Sequence, residues 1–442
     1  MLKTPIARGV ALATLGATLA IPTMVQAAFI EDTKAGLELR NFYFNRDFRG
    51  NQPTTANPNP NSKAEEWAQG FILRVESGFT EGTVGFGVDA LGLLGVKLDS
   101  GAGRTGSGLL PADGDGSADD YSSLGLAAKA KVSETVLKVG TLQLKNMAIS
   151  SSDSRLLPQT FQGAQIISKE VEGLTLDAGY LNRANHRNSS NNEGLAYGGK
   201  GDRRMGTNAA GNPAFVDDAA ITEDADDFFF AGATYKVLDN LTAAYYYSEL
   251  ENIYKQHSTN LVHILPLGDQ QSLKTDLRYA RSTDDGSSNV DNKALGAMVT
   301  YSLSGHSFGL GYQKMSGDTG FAYMAEATDP FLVNYVQIND FAFEDMKSWQ
   351  ARYDFNFASV GIPGLTFMTR YITGDNVERA PGRSEGKLWE RDMDIGYTFQ
   401  EGALKNLNVK WRNATSRGNI AANSGNNIDE NRLIVSYTIP LM

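Results

Sequence analysis

From Gly36 to its carboxyl terminus the chain repeats segments of about ten residues in which apolar and polar side chains alternate, joined in turn by short and long connections. The stretch around residues 348–371 shows the unit most clearly. Trp349, Ala351, Tyr353, Phe355 and Phe357 alternate with Ser348, Gln350, Arg352, Asp354 and Asn356. A turn over 358–364 follows, and Leu365, Phe367, Thr369 and Tyr371 then alternate with Thr366, Met368 and Arg370. Such a dyad suits an antiparallel sheet packed on a core, or a transmembrane barrel with lipid outside and water inside. The connections decide between them. Residues 79–83, 131–135, 169–173, 236–240, 303–307, 358–364 and 400–406 are short links. Between them run long polar links at 46–65, 91–121, 145–160, 183–226, 281–291, 315–347, 374–387 and 416–428. A barrel with turns at one rim and loops at the other requires that order; a soluble sandwich does not. Counting the less regular segments near Leu37, Leu137, Phe161, Tyr254 and Leu273 predicts an all-β transmembrane antiparallel barrel of about eighteen strands.

The amino terminus agrees with export. Lys3 and Arg8 precede an apolar run from Val10 to Val25, and Val25-Gln26-Ala27 offers small residues for cleavage, so residues 1–27 read as a signal peptide and 28–442 as one barrel domain. A single membrane anchor is the weaker alternative. No later segment reaches the roughly 20 apolar residues of a membrane helix. The chain has no cysteine, which removes disulfides and thiolate metal sites. Its net charge of −11 argues against a nucleic-acid partner.

Tyr245, Tyr247, Tyr353, Tyr371, Trp389, Trp411 and Tyr437 fall near segment ends on the outward parity, where interfacial girdles lie; any one of them fits a soluble core equally well. Outward positions also include Phe71, Leu73, Val75 and Phe79, and the last segment presents Leu433, Val435, Tyr437, Ile439 and Leu441. An apolar final strand closes the barrel on the first and leaves no edge.

The opposite parity lists the lumen. Arg40, Arg74, Lys129, Lys138, Lys274, Arg278, Arg352, Arg370, Lys410, Arg412 and Arg432 face inward, since charge is prohibitive against lipid. Arg352, Arg370, Lys410, Arg412 and Arg432 lie on neighbouring strands and read as a basic track for carboxylates. A second reading competes: inward Asp177, Asp276, Asp354, Glu390, Asp392 and Asp394 supply counter-charges for structural ion pairs. Arg391 has outward parity and is placed at the rim.

Two long connections have the composition of inward folds. Residues 145–160 are polar at the start and apolar beside Pro158; residues 315–347 carry the apolar run Phe331 to Ile338, costly to leave in water. A cap on other loops, or a subunit contact, explains the second equally well. Catalysis finds no support: His186, His257, His263 and His306 are scattered, without metal spacing or a nucleophile elbow, and Gly198-Gly199-Lys200-Gly201 has no following helix to bind phosphate. No cofactor is expected.

Several irregular runs resemble one family. They are Ala28-Phe29-Ile30-Glu31-Asp32, the run from Arg40 to Phe48, the run from Asp153 to Gly163, Ser348-Trp349-Gln350-Ala351-Arg352-Tyr353-Asp354, the run from Gly361 to Tyr371, and Trp411-Arg412-Asn413-Ala414-Thr415. Together they resemble the OprD family, outer-membrane carboxylate channels of pseudomonads. The resemblance implies an eighteen-stranded barrel, monomeric or loosely trimeric, in the outer membrane of a Gram-negative bacterium and in contact with its lipids. It implies a constriction made by the third and seventh loops, with Ser151, Ser152, Asp153 and Ser154 on the third and Asn339 and Asp340 on the seventh. It also implies a basic ladder through Arg352, Arg370, Lys410 and Arg412, and passive uptake of small carboxylates such as amino acids or aromatic acids. Gly396 departs from the pattern, an inward position where a base is expected, and predicts a gap in the ladder. The alternative function is a general diffusion porin on the same barrel, with a hydrolase a distant third.

Overall fold

The computed structural model describes residues 29–50, 61–198, 203–207, 213–217, 224–286, 288–324, 328–377, 384–420 and 427–442; the predicted leader 1–27 lies outside them. Eighteen strands form one closed antiparallel sheet. In chain order they are β1 Lys34–Phe48, β2 Lys63–Glu76, β3 Gly85–Asp99, β4 Asp120–Val132, β5 Thr135–Leu142, β6 Thr160–Ser168, β7 Leu174–Asn185, β8 Phe228–Leu238 and β9 Leu241–Leu250. The second half comprises β10 Tyr254–Gly268, β11 Gln271–Asp284, β12 Asp291–Leu303, β13 His306–Ser316, β14 Lys347–Asn356, β15 Leu365–Val377, β16 Gly386–Thr398, β17 Asn408–Gly418 and β18 Ile428–Pro440. Each strand pairs with its chain neighbours, and β1 pairs with β18 from Gly36↔Pro440 to Phe48↔Ile428. Closure leaves no sheet edge for lipid to meet, the condition that membrane burial of a sheet imposes.

Side-chain exposure follows the dyad. Phe86, Leu124, Leu126, Val139, Leu176, Leu295, Phe308, Leu310 and Leu433 are exposed on the outer face, the surface that lipid covers. Aromatic pairs lie in the same face: Tyr312 with Trp349, ring centroids 4.4 Å apart, and Tyr371 with Trp389 at 5.7 Å. On the inner side four buried apolar clusters form where loops fold onto the wall rather than in the sheet itself. Leu109 and Leu110 of the second surface loop and Leu156 and Leu157 of the third pack on inward Phe42, Phe44 and Ile72.

Three local expectations change. Residues 91–99 continue β3 instead of opening a loop; Leu93 points inward under the loops while Leu94 and Leu98 point outward, so both faces are apolar and the alternation is hidden. Phe79 is not an outward strand residue: β2 ends at Glu76, and the Phe79 ring lies under the Lys129 ammonium, 4.8 Å from its centroid. The fifth surface connection, 251–253, is a three-residue turn between β9 and β10, which is why the long connections numbered one fewer than a barrel of this size has.

Candidate functional site

β5 ends at Leu142, and the chain there leaves the wall and enters the lumen as the third loop, 143–159. Its neck is tied by Ser151, whose N–H donates to the Leu144 carbonyl at 2.8 Å and whose hydroxyl accepts from the Leu144 N–H at 3.0 Å. Arg40 of β1 reaches the loop from the wall four strands away. Its Nη1 donates to Asp153 Oδ1 at 2.6 Å, to the Arg155 carbonyl at 3.0 Å and to the Leu156 carbonyl at 3.3 Å. Ser152 is buried, with its hydroxyl 3.1 Å from Ser154 Oγ, and Arg187 Nη1 donates to Ser154 Oγ at 3.0 Å. Of the four residues expected here, Asp153 is the exposed one, with 45% of its side chain open.

The seventh loop, 317–346, is fastened to strands between β10 and β18 through their inward polar residues. Gln313 of β13 donates to the Phe341 carbonyl at 2.9 Å, and Gln350 of β14 donates to Asn334 Oδ1 at 2.8 Å. On β16, Glu390 accepts from the Ile338 N–H at 2.8 Å and the Asn339 N–H at 3.0 Å. Asn339 also donates its side chain to Glu390 Oε2 at 2.5 Å and to Ser416 Oγ of β17 at 2.9 Å. Asn339 is thereby turned into the wall, while Asp340 accepts from the Tyr323 hydroxyl at 3.1 Å. The apolar run is covered as its composition demands: Leu332, Val333 and Val336 are buried, and the Arg278 guanidinium sits 4.0 Å from the Phe331 ring centroid.

The two loops touch. Asp329 N–H donates to the Ser150 carbonyl at 3.0 Å, and Thr328 Oγ1 donates to Gln159 Oε1 at 3.2 Å. Burial pushes the Asp329 carboxyl up from the ordinary aspartate range, opposed by hydrogen bonds from Tyr335 and Ser152. Arg432 joins both loops from β18. Its Nη2 donates to the Gln337 carbonyl at 3.1 Å, its Nη1 to the Ser154 carbonyl at 3.4 Å, and its Nε to Glu430 at 2.6 Å.

Beside these two loops the basic wall spans β14 to β18. Cross-strand register sets Arg352 opposite Arg370 and Arg370 opposite Asp392; one step on, Asp394 lies opposite Arg412 and Arg412 opposite Arg432. Every arginine in it holds a carboxylate. Arg352 binds Asp354 through two nitrogens at 2.7 Å; Arg370 Nε meets Asp392 at 2.7 Å, and Arg412 Nε meets Asp394 at 3.0 Å. Lys410 has no carboxylate partner among the described residues, and its Cε lies 3.5 Å from where a Cβ on Gly396 would stand. Lys410 is the cross-strand partner of Gly396, the position of the expected gap. Arg432 departs from the expected role: its side chain is 1% exposed, so it is the buried strut between the loops rather than an open rung.

The family profile described as "outer membrane porin, OprD family" matches residues 27–441. The chain belongs to the OprD family. It is 38% identical to Porin D of Pseudomonas aeruginosa over 94% of this chain and 92% of that one, and 38% identical to the porin-like protein GalP of Pseudomonas putida over 97% of each. The crystal structure of Pseudomonas aeruginosa OpdQ is 57% identical, covers 94% of this chain and 100% of its own, and superposes with a TM-score of 0.81. Members of the OprD family are outer-membrane porins of Gram-negative bacteria, channels and not enzymes. Among the described residues no group of three His, Asp or Glu is placed to hold a metal.

Residues that hold these two loops in place without appearing among the expected ones include Arg155, Arg187, Gln337 and Glu66. Arg155 donates Nε to the Ser107 carbonyl at 2.8 Å, tying the third loop to the second, and buried Glu66 takes the hydroxyls of Ser107 and Ser117, holding the second loop on β2. An inward glutamate beside inward Phe42 and Phe44 was the available signal: polar and apolar groups sharing the inner face mark a wall that a loop covers.

Proposed function

We propose that this porin is substrate-selective and takes up small carboxylate-bearing molecules passively, past the third and seventh loops and along Arg352, Arg370, Arg412 and Lys410. The observation that carries the reading is how the counter-charges are placed. Asp392 and Asp394 engage Nε of Arg370 and Arg412, so the terminal nitrogens of both guanidiniums have no protein acceptor among the described residues. A guanidinium presents five N–H donors in a fixed fork, and a carboxylate matches two of them. The carboxylate partner orients each arginine and leaves its outer edge for a solute. Lys410 adds a cation with no internal partner. Substrates are amino acids or organic acids, flux follows their gradient, and no cofactor takes part. The barrel works as a monomer or a loose homotrimer with outer-membrane lipids around it.

A general diffusion porin is the second reading, favoured by the pairing of each wall arginine with a carboxylate. Planar-bilayer recording separates the two. Carboxylate-induced blockages that weaken in Arg370→Ala and Arg412→Ala support selective uptake; a large conductance indifferent to carboxylates and to both substitutions refutes it.

A further inference from the structure

Arg391 lies on the outer face of β16, exposed, in register with Tyr371 of β15 and Thr415 of β17. Its Nη2 donates to Asn413 Oδ1 and, at 3.3 Å, to Thr415 Oγ1, both neutral acceptors. Among the described residues no carboxylate lies within ion-pairing distance of it. Three neighbouring rim cations are compensated: Arg417 by Asp429 at 2.8 Å, Arg49 by Asp429 at 2.8 Å, and Lys387 by Glu385 at 3.7 Å.

The surroundings are unlike a lipid face. Asn413 Nδ2 donates to Asn431 Oδ1 at 3.0 Å, and the Trp411 indole donates to the same oxygen at 3.3 Å. Trp389 stacks on Tyr371 beside the arginine. Below this belt the outer positions turn apolar at once, with Met393, Ile395 and Tyr397 on β16 and Leu433, Val435, Tyr437 and Ile439 on β18. Arg391 thus stands at the top of the apolar band, at the level where lipid headgroups meet the barrel. An arginine there, with no counter-charge among the described residues, calls for an anion from the membrane itself. Amides and indole N–H groups suit sugar hydroxyls; a guanidinium held on one edge by Asn413 and Thr415 presents its other edge to phosphate.

We propose that Arg391, Asn413, Thr415, Asn431 and Trp411 form an outward-facing site for the headgroup of a phosphorylated glycolipid of the outer leaflet. The phosphate pairs with the free edge of Arg391, the sugar lies on the Asn413–Asn431–Trp411 belt, and the acyl chains descend over Leu433 and Ile395.

The test is native mass spectrometry of the delipidated full-length porin in detergent, titrated with bisphosphorylated lipid A and, separately, with its dephosphorylated form. The wild type retains one bisphosphorylated lipid. Arg391→Gln weakens that binding by about tenfold, the loss of one charged hydrogen-bonding group, while Lys387→Gln changes it less than about twofold, as expected for a rim cation already paired. The dephosphorylated lipid binds the wild type as weakly as the bisphosphorylated one binds Arg391→Gln, a comparison that needs no variant to fold. Equal binding of the two lipids by the wild type, or unchanged binding by Arg391→Gln, overturns the site. A dimeric or trimeric species that takes the place of bound lipid and is lost in Arg391→Gln overturns it too, by making the occupant a second copy of the chain.

Discussion

Asn339 gives both its backbone N–H and its side-chain amide to one oxygen of Glu390, at 3.0 and 2.5 Å, and so pins the tip of the seventh loop to β16. Ile338 gives its N–H to the other oxygen at 2.8 Å. Replacing Glu390 by alanine leaves the Ile338 and Asn339 N–H groups unmet and the Asn339 side chain with Ser416 alone, at up to about 1–3 kcal/mol for each unmet donor before the loop shifts. The loop therefore loosens while the barrel stays closed. Single-channel recording of Glu390→Ala is expected to show larger and noisier conductance at unchanged heat resistance of the barrel; a trace like the wild type removes Glu390 from the constriction's support.

Arg432 is expected to matter for stability more than for transport. Arg432→Met leaves buried Glu430 with Arg46, at 2.6 Å, as its remaining ion pair among the described residues, and also frees the Ser154 and Gln337 carbonyls. Breaking one side of a buried pair costs about 3–5 kcal/mol. The measurement is the temperature at which the folded, fast-migrating band disappears on gel electrophoresis; a marked fall is expected for Arg432→Met and little change for Arg352→Met, whose pair is partly open.

Asp329 gives the constriction a pH dependence. Burial raises its carboxyl, so the folded chain holds the proton at pH values where an exposed aspartate, near about 3.9, has lost it. The sign follows: docking of the seventh loop on the third is strongest with the acid protonated and weakens as pH rises from the ordinary aspartate range through the raised value. Below that window the constriction also carries one negative charge fewer. Reversal potentials in a salt gradient are expected to move toward anion preference on acidification, and Asp329→Asn is expected to remove that step.

Gly364 closes the turn before β15 with φ +89°, and a Cβ there would stand 2.2 Å from the Thr398 carbonyl oxygen. A side chain is excluded by both conformation and space. Gly364→Ala is expected to lower the yield of folded barrel in the outer membrane, whereas Gly361→Asn, at φ +85° with open space around it, is expected to be tolerated. Quantifying the heat-modifiable form of each variant compares them directly.

The barrel was legible in the sequence because lipid and water impose opposite chemistry on alternate residues. Trp349 and Tyr371 outward, with Arg352 and Arg370 inward, need no knowledge of neighbouring strands beyond their parity. The same rule located the basic wall and Arg391 outside it. It failed where a strand is covered on its inner face, as at Leu93, since loops that fill the lumen make both faces apolar. What parity cannot supply is which inward charge meets which. Whether Arg412 takes Asp394 or Glu430, whether Arg432 is a rung or a strut, and whether Lys410 stands opposite Gly396 all depend on cross-strand register and on loops arriving from over a hundred residues away. Those contacts exist only once the barrel has closed, so alternation determined the barrel and its two faces, and the tertiary structure alone decided the constriction.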